Sequence, residues 1–206
     1  MKLLHIDASS NPEGNSRAIT RYLVDQLNAE QVVTRDVAQT QLPVMDAETL
    51  LAFYQYADGA VVSPSTEQHL ALSDTLIEEL KAADVVVLGI PMYNFGVPIH
   101  LKNWIDHVAR SGVTFRYGEN GPEGLIGETA IYVVATSGGT PIGSDYDFSS
   151  RHAQQVFTFL GASSIDVIDA SGSKGSPQEV VAAAKAQIDE LLVDRIREPL
   201  KQIQHA

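Results

Sequence analysis

The chain has 206 residues, 44% apolar and 19% charged, with a formal net charge of −12. That length and composition exclude a disordered chain and suit one α/β domain with a sizeable core, expected here over residues 1–206. The acidic balance excludes non-specific nucleic-acid binding, and the lack of cysteine excludes disulfides, thiolate catalysis and Cys-ligated metal.

The opening MKLLHIDASS turns polar too soon for a signal peptide, and every later apolar run is interrupted before it could cross a bilayer. A soluble cytoplasmic protein with no membrane partner is the expectation. Leu3, Leu4, His5 and Ile6 read as a first strand ending at Asp7. After a polar loop, Ala18, Ile19, Tyr22, Leu23 and Leu27 recur at helical spacing, with Asn15 or Ser16 as the N-cap. Val32, Val33 and Val37 suggest a second, weaker strand. Residues 41–63, with Pro43 and a possible short helix, read as a variable excursion. Leu70, Leu72, Leu76, Ile77 and Leu80 mark an amphipathic helix over 65–82 that feeds DVVVLGI (84–90), a run apolar enough to be buried on both faces.

Pro91 ends that strand, and a helix follows over about 98–109 with Pro98 near its first turn. Residues 118–127 read as a Gly-rich loop and 129–137 as another buried strand. A helix over 152–160, a strand over 165–168 and a final helix with Val181, Ala184, Ile188, Leu191 and Leu192 as its stripe complete the series. Pro199 is expected to break or kink that last helix. Five strands alternating with helices predict a three-layer α/β fold. Its parallel sheet has the flavodoxin-like order 2-1-3-4-5, with helices on both faces.

Such sheets bind ligands beyond the strand carboxyl ends, where the winding reverses. The loops there are 8–18, 91–98 and 136–148. The first offers Ser9, Ser10, Asn11, Asn15 and Ser16 at a helix N-terminus, a site for one phosphate to which Arg17 could add charge. Its plainer reading is an N-capped helix after a polar turn. In the second, Tyr93 and Phe95 flank Asn94 and could line a flat ring, with Gly96 permitting close backbone approach; inward-folded aromatics are the alternative. The third, TSGG, offers paired amides or only a glycine turn. Together they point to a flat phosphorylated cofactor. No G-x-G-x-x-G, P-loop or G-x-S-x-G element is present. His100 and His107 lack the spacing of a metal site, so no metal is expected.

The string PMYNFGVPIHLKNWIDHVARSGVTFRYGENGPEGL (91–125) resembles the FMN-dependent NADH:quinone oxidoreductase and NADH-azoreductase family. LSDTLIEELKAADVVVLGI (72–90), VATSGG (134–139) and the N-terminal DAS…NS pattern extend the resemblance over most of the chain. It implies non-covalent FMN, NADH as donor, quinones or azo compounds as acceptors, and an active site completed across a homodimer. It assigns Ser9, Ser16, Arg17 and Ala18 to the phosphate, and Met92, Tyr93, Asn94 and Phe95 to one edge of the isoalloxazine. Ser137, Gly138 and Gly139 fall at the other edge, with Tyr117 and Phe159 in the substrate pocket. Two departures stand out. Relatives carry S-x-S where this chain has Ser16-Arg17-Ala18, and S-R-G-G where it has only Ser137-Gly138-Gly139.

No side chain is implied as an acid–base catalyst. Hydride passes from NADH to the flavin N5 and then to the acceptor in a ping-pong scheme, backbone amides near Asn94 and the glycines stabilising the charge. Tyr117 and Phe159 read equally as packing residues. Trp104 reads as core, although the resemblance places its helix near a dimer interface. A flavin-binding electron carrier or redox sensor is the alternative of a different class, and an FMN reductase releasing free reduced flavin is a third reading.

Overall fold

The computed structural model describes residues 1–40, 42–55 and 61–203. Parallel strands β1 (Lys2–Asp7), β2 (Gln31–Asp36), β3 (Val85–Pro91), β6 (Ala130–Thr136) and β7 (Ser164–Ala170) form one sheet of order β2-β1-β3-β6-β7. Strands β4 (Phe115–Gly118) and β5 (Gly121–Gly124) form a separate antiparallel hairpin. Leaving the hairpin aside, the sheet order is 2-1-3-4-5. The hairpin occupies the stretch that reads as a Gly-rich loop. Its strands are short and polar, with Gly at both ends of the turn, so no apolar periodicity betrays them.

Helices α1 (Asn15–Leu27) and α6 (Pro177–Ile203) cover one face of the sheet. There Ile19, Leu23, Ala184 and Ile188 pack on Leu3, Val87, Tyr132 and Val134. Helices α3 (Pro64–Ala82), α4 (Ile99–Val108) and α5 (Phe148–Leu160) cover the other. Their Leu76, Leu80, Leu101, Trp104, Phe157 and Leu160 meet Leu4, Ile6, Val86, Leu88, Ile131 and Val133. The alternation of Val85–Ile90 between these two clusters is why that strand is apolar throughout. The weaker β2 is an edge strand with Val32 and Val33 exposed.

Several boundaries differ from the sequence expectation. Gly14, not Asn15 or Ser16, caps α1, with no side-chain hydrogen bond. Helix α5 begins at Phe148, a turn before residue 152, because buried Asp147 accepts from the amides of Ser149 and Ser150. Helix α6 continues through Pro199 to Ile203. The excursion does contain a helix, α2 (Ala47–Gln55), while Gln41 and residues 56–60 lie outside the described residues. His107 donates through Nε2 to the Pro43 carbonyl at 2.9 Å, and Asn103 donates to the Leu42 carbonyl at 2.9 Å. None of the described helices is long and apolar enough to cross a membrane.

Candidate active site

The parallel register sets the carboxyl ends of β1, β3 and β6 side by side. Asp7 pairs with Gly89, and Pro91 with Thr136. Ala8 N–H donates to the Gly89 carbonyl at 3.1 Å, and Met92 N–H to the Thr136 carbonyl at 2.7 Å. The first turn of α1 drops onto the same edge because Gly89 is bare. A Cβ there would lie 3.0 Å from Thr20 Cγ2 and 3.1 Å from Asp7 Oδ1. Ser9, Ser16, Arg17, Ala18, Met92–Phe95 and Ser137–Gly139 are therefore brought to one crevice.

In the first loop Ser9 is buried and Ser10 exposed. The Ser9 hydroxyl accepts from Asn11 N–H at 3.2 Å and lies where a Gly14 side chain would otherwise sit. The amides of Arg17 and Ala18 both donate to the Gly14 carbonyl. Among the described residues, the amides of Asn15 and Ser16 and the Ser16 hydroxyl make no hydrogen bond. The two amides are orphan donors of a helix N-terminus, with the Ser16 hydroxyl on the same first turn, a donor set that suits an anion.

Arg17 does something other than add free charge. Its guanidinium forks onto Asp36 at 2.7 and 2.9 Å, meets Asp7 Oδ2 at 3.3 Å and donates to the Ser9 carbonyl at 2.6 Å. With only 5% of its surface exposed, it braces the loop from beneath. Burial alone would raise the Asp7 pKa, but the His5 hydrogen bond, the charges of His5 and Arg17, and the Thr20 hydroxyl outweigh it and hold it below the ordinary value. The sequence gives no cue to this arrangement, because Asp36 reaches Arg17 only once β2 pairs with β1.

The second loop closes as a tight turn, with Tyr93 and Gly96 exchanging both backbone hydrogen bonds at 3.0 and 3.1 Å. Both central residues are left-handed, Asn94 at φ 51° and Phe95 at φ 70°. Asn tolerates this conformation; for Phe it costs about 1–2 kcal/mol. The strained turn presents Tyr93 and Phe95 outward, 41% and 53% exposed, rather than folding them into the core. The Tyr93 hydroxyl accepts from Ser10 N–H at 3.3 Å, tying the second loop to the first.

In the third loop the buried Ser137 donates to the Thr140 carbonyl, while Gly139 faces open space. The loop ends on Asp147. Burial pushes the Asp147 pKa up, but the Gly143 amide, the Ser150 hydroxyl and amide, and the Ser149 amide together hold it low. Asp followed by Ser at the second and third positions is a cap signature that could have extended α5 from sequence. Lys174, in the loop after β7, also belongs here and went unrecognised. Its amide donates to the Gly138 carbonyl at 3.0 Å.

Tyr117 and Phe159 are not brought to this crevice. Phe159 lies near the end of α5, whose Leu160 carbonyl accepts from Ile126 N–H at 3.2 Å. Thr129, at the entry to β6, donates to the Ala83 carbonyl just before β3 begins. Both residues thus sit towards the amino ends of the strands. There Phe115, Tyr117, Phe159, Phe53 and Leu50 line a cavity of about 260 Å³. Tyr117 is 73% exposed.

A family model described as "Flavodoxin-like fold" matches residues 1–192. The FMN-dependent NADH:quinone oxidoreductase of Erythrobacter litoralis is 41% identical over 195 residues, covering 92% of this chain and 98% of the relative. The FMN-dependent NADH:quinone oxidoreductase 1 of Hahella chejuensis is 42% identical, covering 91% and 93%. The chain belongs to the FMN-dependent NADH:quinone oxidoreductase family. The FMN-dependent NADH-azoreductase of Bacillus anthracis, solved in complex with FMN, superposes with a TM-score of 0.82 over 93% of this chain and 97% of that one. Their 22% identity makes this a likeness of fold. Arg17, Arg110, Arg116 and Arg151 are each paired with a carboxylate.

Proposed function

We propose that this chain is an FMN-dependent NADH:quinone oxidoreductase that also cleaves aromatic azo bonds. It acts as a soluble cytoplasmic homodimer, with residues 1–206 forming one FMN-binding domain. The observation that carries the reading is the crevice itself. Unpartnered amides of Asn15 and Ser16 beside the Ser16 hydroxyl suit a phosphate. An outward aromatic turn and the open Gly139 stand at adjacent strand ends, a setting suited to a flat ring.

In this reading Ser9, Ser16 and the Ser16–Ala18 turn hold the phosphate end, with Arg17 fixing the Ser9 carbonyl rather than touching the ligand. Met92–Phe95 and Ser137–Gly139 border the isoalloxazine, and their amides favour negative charge on it. Bound there, FMN supplies the hydride chemistry, accepting two electrons from NADH and delivering them to quinone or azo acceptors.

The position of Tyr117 and Phe159 supports the dimer reading. Within one chain they face away from the crevice, so they can line the acceptor pocket only when a second copy brings them over it. Exposed Ile99, Tyr146 and Phe148, beside Tyr93 and Phe95, provide an apolar rim for that copy.

The test is NADH oxidation by the yellow purified protein with menadione, then an azo dye, as sole acceptor. Turnover on both is expected. Bound FMN without turnover on either would refute the enzyme reading in favour of an electron carrier or sensor. Dilution in an ultracentrifuge tests the dimer: activity should fall as monomer appears, and an active monomer would refute the shared site.

A further inference from the structure

The crevice has a cation that neither the motifs nor the family positions assign. Two-electron reduction by hydride leaves a net negative charge on FMN, and the site sits in a chain of net charge −12. A compensating cation is therefore valuable, yet Arg17 is neutralised by Asp7 and Asp36 and Arg151 lies 3.6 Å from Asp145. Lys174 differs. Its ammonium takes part in no ion pair or hydrogen bond among the described residues, and its backbone is fixed to the third loop. Lys174 N–H donates to the Gly138 carbonyl at 3.0 Å, and Ser173 donates to the Ser137 carbonyl through both N–H (3.0 Å) and hydroxyl (2.8 Å).

The lysine stem lies directly across Gly138. A Cβ built on Gly138 would stand 3.0–3.3 Å from Lys174 Cγ, Cδ and Cε, so a side chain at 138 would push the lysine stem aside by a few tenths of an ångström. The third loop is also one residue shorter than S-R-G-G and has no arginine of its own. A bare Gly138 therefore makes room for a cation from the neighbouring loop.

Strand order says which end of the cofactor this cation serves. The phosphate donors follow β1, and Lys174 follows β7, three strands away. At about 4.8 Å per strand that is about 14 Å, too far for the phosphate but alongside the loops that border the ring.

We propose that Lys174 is the cation of the ring end, stabilising the negative charge of reduced FMN and so raising the reduction potential of the bound cofactor. This rests on the FMN reading above. It is tested by K174Q and K174R, with the midpoint potential of bound FMN measured anaerobically against a reference dye and oxidised FMN titrated separately by fluorescence. K174Q is expected to leave oxidised FMN affinity within about twofold. It should weaken the reduced form about tenfold relative to the oxidised one, lowering the potential of this two-electron couple by about 30 mV. K174R should stay near the wild type.

An unchanged potential in K174Q would overturn the proposal. So would equal weakening of both redox forms, the sign of a packing role. So would a raised KM for NADH at constant potential, the sign of a donor-phosphate contact. Wild-type protein that takes up no FMN would overturn the cofactor reading itself, before any variant is compared.

Discussion

Replacing Arg17 separates two roles that the sequence alone cannot tell apart. The guanidinium spans Asp36, Asp7 and the Ser9 carbonyl, and the Arg17 and Asp7 side chains are 6% and 5% exposed. Removing one partner of a buried pair typically costs about 3–5 kcal/mol because the other charge stays buried. Asp36 reaches solvent at 29% exposure, and Asp7 keeps His5 and Thr20, so the lower end, about 3 kcal/mol, is expected for R17M. With a urea m-value of about 2 kcal/mol/M, the midpoint should fall by about 1.5 M. Lysine keeps the charge but cannot span two carboxylates and a carbonyl, so R17K should be destabilised too. Both variants release Ser9 and should bind FMN about tenfold more weakly, or about 1.4 kcal/mol. Urea melts and FMN titrations of both decide it. An R17K protein with intact FMN affinity, beside an R17M protein with an unchanged urea midpoint, would refute the brace and make Arg17 a direct phosphate ligand.

F95G should relieve left-handed strain and raise stability by up to about 1 kcal/mol in a urea melt, while weakening FMN binding through loss of the aromatic wall. G124A should destabilise by about 3 kcal/mol or more, because its Cβ would fall on the Leu160 carbonyl and Gly161 amide of a backbone that cannot yield. Quinone turnover should fall with it, since β5 pairs with the strand carrying Tyr117. Acid sensitivity should come in two windows in urea melts against pH. Burial lowers the His107 pKa below 6.5 despite the Pro43 carbonyl, so the unfolded chain protonates first and stability drops as pH falls from about 6.5. H107Q should shrink that window, leaving the share of His152, whose pKa burial also lowers. The depressed Asp7 carboxylate contributes above its unfolded value near 3.8, and that contribution should vanish as pH falls through its lower folded pKa.

The sheet was legible because parallel strands buried on both faces must be apolar at every position. DVVVLGI and AIYVVATS show this without any partner in view. The same physics hid the hairpin. Its strands are four residues each, and its glycines do the packing, Gly124 against the end of α5, so the segment carries close backbone approach where a pattern search looks for apolar side chains. Of the two outcomes expected at Pro199, a break does not occur. A proline removes one helical donor but does not by itself dictate that a helix of 27 residues must stop there.

The crevice was legible in its loops and not in its charges. Ser9, Tyr93, Asn94 and the glycine pair lie within three residues of a strand end, and Ser16 in the first turn of the helix after β1, so topology alone gathers them. Whether a cation near them is free depends on carboxylates elsewhere in the chain. Arg17 looks available until Asp7 and Asp36 arrive from the ends of β1 and β2, 10 and 19 residues away. Lys174 looks like a solvent-exposed loop residue until Gly138 is seen beneath it. Short-range pattern locates a binding edge, whereas its electrostatics are set by long-range pairing. A reading from sequence should therefore be trusted for where a phosphorylated ring would lie before it is trusted for which side chain would answer its charge.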